Sequence, residues 1–273
     1  MRVRGSSGTR RLRSFALGGA VALAAGVGSA QAQPASPHSV TAPAFTVNAR
    51  VALYAYTSLS DAHLAKMADV LTLLAATDAA RSARWERIRA PLAEASRMNV
   101  PAALWFARPS GAYWTVERGR STATLADRPY FPRVLAGHTV IGELVVSRST
   151  SRNSAIVAVP VRGHDRAVVG VLGASVRLDS LGALVRREMG GLDDGLLFFA
   201  IDSQPIGALN SDPTLIFTEP MKLGDEGMRR AFREMLAGSE GVVTYSFRGS
   251  RRTVLYRKSA VTGWWHGFGT LHP

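Results

Sequence analysis

The sequence predicts an α+β protein in which a long N-terminal helix is followed by two modules, each an antiparallel sheet with flanking helices. Three observations carry this prediction. Apolar residues recur at three- and four-residue spacing before Pro101, which places them on helical faces. After Pro101, short strand-like runs alternate with turn residues and end in a helical stretch at 178–189. A smaller series of strands, one helix and further strands then runs to the C-terminus, so the pattern occurs twice.

The first residues read as a cleavable export signal. Residues 1–13 hold five arginines and no acidic residue, 14–27 form an apolar run, and Ala30-Gln31-Ala32 is a small-x-small cleavage site. The apolar run is shorter than the roughly 20 residues of a spanning helix. Thr9-Arg10-Arg11 leaves the twin-arginine route open beside the general one. The expected product starts after Ala32 and is periplasmic or secreted. Cutting 32 residues from 273 leaves 241, enough for a core that buries about 70% of the unfolded surface. With no Cys, disulfides, thiol chemistry and cysteine lipidation are excluded.

Residues 33–55 open with Pro, Ala and Ser and read as a flexible tether. From about Ser58, Leu59, His63, Met67, Val70 and Leu74 share one helical face, with Ser60-Asp61 as the expected start. Trp85, Ile88, Leu92 and Ala95 mark a second helix, which Pro101 ends. Strands are expected at 102–108, 112–117, 140–147, 153–161 and 167–176, with Pro109-Ser110-Gly111 turning the first hairpin. The expected first module, with its helix, covers 56–189. The second covers 190–273, with strands at 196–201, 205–209, 242–247, 253–259 and 264–269 and a helix at 228–236 capped by Gly238. Strand, strand, helix and three further strands is a PAS-like order.

Removing the five leader arginines takes the net charge from +13 to +8. Export and the scatter of Arg186-Arg187, Arg229-Arg230 and Arg251-Arg252 argue against nucleic acid as a partner. The six histidines show no metal-binding spacing, and no nucleophile elbow or phosphate loop is present. No enzyme activity, cofactor or metal is therefore expected, and a periplasmic hydrolase ranks last among the readings.

Several stretches resemble the Cache family of bacterial extracytoplasmic sensory domains. They are residues 104–116, Asp127-Arg128-Pro129-Tyr130-Phe131 with Ala136-Gly137, residues 142–150, Val157-Ala158-Val159-Pro160-Val161, and residues 170–174 with Leu178-Asp179-Ser180-Leu181. Gly241-Val242-Val243 and Thr262-Gly263-Trp264 resemble the second module of the double-Cache form. The likeness covers about residues 55 to 270 and is denser in the first module.

This resemblance implies a small-molecule pocket in the first module. It implies that Arg128, Tyr130 and Phe131 face that pocket, and that Ser147 and Ser175 occupy strand positions beside it. Tyr113, Trp105 and Trp114 are expected as aromatic walls. A guanidinium can grip a carboxylate through two parallel hydrogen bonds. The competing role for Arg128 is a structural pairing with Asp127 or a helix end. Where amino-acid binders of the family carry an aspartate, this chain has Ser175, which favours an organic acid or other small anion. Family members sit in membrane-bound chemoreceptors or histidine kinases, so a separate membrane partner of that kind is expected. The alternative is an interaction module with a degenerate pocket, dimerising through the N-terminal helix.

Overall fold

The computed structural model describes residues 48–193 and 195–272, which lie in one compact unit. The expected export signal falls outside the described residues, as does most of the expected tether.

Helix α1 spans Ala49–Ala75 and starts at Asn48, whose side chain accepts a hydrogen bond from the Arg50 N–H. Residues 49–55 are therefore helix, not tether. The helix continues through Ser60-Asp61, where a start was expected. Ser60 is turned inward instead, and its hydroxyl donates to the Tyr56 carbonyl at 2.9 Å. Leu53, Tyr56, Ser60, Leu64, Met67, Leu71 and Ala75 form the buried stripe. A short α2 (Asp78–Arg81) leads to α3 (Trp85–Arg97), which buries Ile88, Leu92 and Ala95.

The first sheet contains β1 (Ala102–Ala107), β2 (Ala112–Thr115), β3 (Gly119–Thr124), β4 (Val140–Val146), β5 (Asn153–Arg162) and β6 (Val168–Arg177), in the order β3-β2-β1-β6-β5-β4. Helix α4 (Phe131–Leu135) precedes β4, and α5 (Leu178–Glu188) leaves β6. Gly111, at φ 85°, takes the left-handed position that closes the first hairpin. The second sheet contains β7 (Leu196–Ile201), β8 (Gly207–Asn210), β9 (Glu240–Phe247), β10 (Ser250–Lys258) and β11 (Trp265–His272), in the order β8-β7-β11-β10-β9. Helices α6 (Pro220–Leu223) and α7 (Glu226–Ala237) lie between β8 and β9 in the chain. Every strand pairing is antiparallel. The architecture is thus the expected one, a long helix followed by two PAS-like modules.

Side chains alternate across a strand, so each sheet has two apolar faces to cover. Leu104 and Phe106 of β1, Val157 of β5 and Leu172 of β6 join the α1 stripe in a central core. Phe198, Leu209, Trp264 and Phe268 of the second module enter the same core. The opposite face of the first sheet carries Trp105, Tyr113, Tyr130, Ile156 and Val171. That of the second carries Phe199 and Val254 against Met228, Phe232 and Met235 of α7. The indole N–H of Trp264 donates to the Gly142 carbonyl at 2.8 Å, joining the two modules directly. Among the described residues, no helix is long and apolar enough to cross a membrane.

Candidate functional site

Alternation along β1 decides what the first module holds on its far face. Phe106 points toward α1, so Trp105 points away, and the pairing Trp105↔Gly173 sets the indole over β6. Gly173 is required there, because a Cβ would lie 2.1 Å from the indole Cζ2. The indole N–H then donates to the Ser175 hydroxyl at 3.3 Å. Tyr130 leans on the same indole with ring centroids 6.4 Å apart.

Trp105, Tyr113, Arg128, Tyr130, Ser147 and Ser175 all line one small space on this face. Phe131, expected to face the pocket, and Trp114, expected as a wall, do not. Phe131 opens α4 and turns into the apolar cluster with Val134, since the chain tightens after Arg128 through a Phe131 N–H to Arg128 carbonyl bond of 2.9 Å. Trp114 follows Tyr113 on β2 and faces the other way, stacked on Phe106 with Arg108 above it. The space itself is narrow, about 10 Å³, room for roughly one water molecule.

The charges come from two arginines. Arg128 is half-buried, and its Nη2 donates to the Val146 carbonyl at 2.7 Å, tying it to the end of β4. Arg148, which sequence reasoning did not single out, lines the space as well and meets Asp127 through two parallel bonds of 2.6 Å each. That pairing holds the Asp127 carboxyl below the usual carboxylate range and raises Arg148. Asp127 is thus committed to Arg148. Among the described residues Arg128 has no carboxylate partner, and no Asp or Glu lines the space.

The remaining polar groups are hydroxyls. Ser147 is buried with its oxygen 3.2 Å from that of Ser149. Burial pushes the Tyr130 hydroxyl well above its ordinary pKa, so it stays protonated and can donate. The Tyr113 hydroxyl is buried with no partner among the described residues. A guanidinium with free donors, beside neutral hydroxyls and aromatic faces, is chemically a site for a small anion or hydrogen-bond acceptor. It contains no nucleophile–base pair.

No protein-family model matches the chain, and no curated protein matches it in sequence. Solved structures do. The ligand-binding domain of the Pseudomonas fluorescens chemoreceptor CtaA, in complex with L-alanine, superimposes with a TM-score of 0.63 at 13% identity, covering 81% of this chain and 95% of that one. The periplasmic sensory domain of the Campylobacter jejuni chemoreceptor Tlp1 gives 0.62 at 13% identity, over 82% and 93%. An extracellular ligand-binding receptor from Desulfohalobium retbaense gives 0.63 at 12% identity, over 80% of this chain and 39% of that one, so this chain spans well under half of that receptor. At these identities the likeness is one of fold. The fold is the two-module, Cache-like arrangement of the extracytoplasmic sensory domains of bacterial receptors.

Proposed function

We propose that the chain is a periplasmic sensory protein whose first module binds a small carboxylate-bearing ligand and which signals through a separate membrane-bound chemoreceptor or histidine kinase. The observation that carries this reading is the state of Arg128. It lines an aromatic space free of acidic side chains, keeps donors to spare after bonding to Val146, and makes no salt bridge to the neighbouring Asp127, which pairs with Arg148. Tyr113 and Tyr130 supply hydroxyl donors for a second ligand oxygen. Ser175 supplies no charge for an ammonium, so an organic acid fits better than an α-amino acid. The reaction class is binding, not turnover.

Melting curves of the protein with panels of organic acids, amino acids, amines and nucleobases test it. Stabilisation by an organic acid, lost in Arg128→Ala, is the expected result. Turnover of any panel member would point to the enzyme reading instead.

One observation favours a second reading, an interaction module with a degenerate pocket. Trp105 leaves room for about one water, so a ligand must displace the indole or widen the space. On that reading the exposed side chains of α1, such as Val51 and Leu73, would make a dimer contact, and no panel compound would shift the melting curve.

A further inference from the structure

The two modules repeat one construction down to single positions. In the first, β1 pairs with β6 so that Trp105 lies opposite Gly173 and its ring covers that glycine. In the second, β7 pairs with β11 so that Phe199 lies opposite Gly267, where a Cβ would meet the Phe199 ring at 2.6 Å. The neighbours match as well. Tyr113 on β2 and Asn210 on β8 each line the space from the strand beside the floor strand, though at different register positions, and Val145 and Ser147 around the end of β4 have their counterparts in Tyr245 and Phe247 on β9. All of these line a space on the sheet face turned away from α1. The second module therefore holds a cavity where the first holds its candidate site.

The contents differ. Phenylalanine replaces tryptophan on the floor, and the space is larger, about 30 Å³ against about 10 Å³. Its walls are mostly apolar, with Leu197, Ile201, Met228 and Phe232 around the Phe199 ring. At one side stands a single charge, Arg252. Its guanidinium lies over the Phe247 ring, 4.7 Å from the centroid, and its Nε is buried with no partner among the described residues. No carboxylate of the described chain pairs with it, and none lines the cavity. The loop that closes the space holds Phe217 at φ 66°, a left-handed conformation costly for an aromatic residue, between the lining residues Leu215 and Thr218.

We infer that this cavity is a second ligand site, and that it takes a short aliphatic carboxylate, with the chain among Phe199, Met228 and Phe232 and the carboxylate on Arg252. An apolar body matches the walls, and an anionic oxygen would satisfy the Nε that the folded chain leaves unpaired; at about 30 Å³ the space holds two or three waters, so the ligand must widen it to enter. An amine of the same length would place a cation against Arg252. A neutral alcohol would lose the charge-assisted bond.

Butyrate, butylamine and butanol titrated into the full chain by calorimetry test the inference. Butyrate binds, butylamine does not, and butanol binds more weakly. Arg252→Met keeps an apolar side chain at a half-buried position and lowers butyrate affinity by about tenfold or more. Phe199→Trp, which gives the second module the floor of the first, closes the cavity and abolishes binding. If that variant does not fold, Arg252→Met decides. Arg128→Ala removes at most the binding that belongs to the first-module pocket and leaves the Arg252-dependent binding of butyrate in place, which separates the two sites. Absence of butyrate binding, undiminished affinity in Arg252→Met, or loss in Arg128→Ala with retention in Arg252→Met would each overturn the inference.

Discussion

Asp127 grips Arg148 and not its sequence neighbour Arg128, with both carboxylate oxygens accepting at 2.6 Å. The pair is on the surface and contributes little stability by itself. Its consequence is selective, because it neutralises one of two adjacent guanidinium groups and leaves the other.

Arg128→Ala is therefore expected to abolish binding of an anionic ligand while the ligand-free melting temperature changes little. A charge-assisted hydrogen bond is worth about 1.5 to 3 kcal/mol, roughly tenfold to more than a hundredfold in affinity. Arg128→Lys should also weaken binding, since an ammonium lacks the planar fork. Calorimetric titration of the three proteins, with melting curves recorded without ligand, checks both statements. A lowered melting temperature with ligand response intact would assign Arg128 to the fold, through its bond to Val146.

Gly173→Ala tests the floor of the same site. The new methyl would sit 2.1 Å from a buried indole, so the indole must move. Overpacking of this kind costs about 1 to 3 kcal/mol, read as a lower midpoint in denaturant unfolding. A change below a few tenths of a kcal/mol, within measurement error, would show that Trp105 is free to swing.

His266 on β11 sets a pH dependence. It is fully buried against Tyr56 and Trp264, neither ring nitrogen has a partner among the described residues, and burial lowers its pKa to about 3. Unfolded, the same ring titrates near 6.5. Between those values the unfolded chain binds the proton that the folded chain refuses. Stability from this group is complete above pH 6.5 and declines as pH falls toward 3, by up to about 1.4 kcal/mol per pH unit. Asp61, whose pKa is raised by burial, works in the opposite direction and offsets part of the decline. His266→Phe should flatten the curve of stability against pH from 7 to 5. An equal slope in wild type and variant would refute the assignment.

Residues 190–273 alone are expected to show no cooperative unfolding. In the whole chain Phe198, Leu209, Trp264 and Phe268 are covered by α1 and the central core, and a fragment would expose them. At this size a single core is already marginal. A sharp calorimetric transition from the fragment would show that the second module stands by itself.

Most of the strands were legible because their alternation and turn residues are local signals. Strand β3 was not, since Gly119–Thr124 is polar on both faces and forms the edge of its sheet. The start of α1 was misplaced because Ser60 and Asp61 look like a cap. Their real partners are the Tyr56 carbonyl and the distant Ser259 hydroxyl, which donates to Asp61 at 2.8 Å. The family likeness led to Arg128, Tyr130 and Trp105. It misdirected Phe131, whose facing depends on the tight turn into α4, and Trp114, whose side of the sheet follows from the parity of β2. Arg148 was hidden because its role depends on folding back onto Asp127, which no spacing in the chain announces.

The stripe of α1 that runs beneath both sheets also constrains the order of assembly. Tyr56 lies near the start of the described chain, yet it packs on Phe198 at 4.7 Å and His266 at 5.1 Å between centroids, and His266 lies on the last strand. A ribosome makes α1 first and β11 last, so the Tyr56 end of the helix waits for its second-module cover through nearly all of synthesis. Contacts so distant in sequence form slowly, and bare apolar surface invites aggregation meanwhile. A nascent chain stopped before β11 would therefore be a target for chaperones and proteases, not a shortened but working protein.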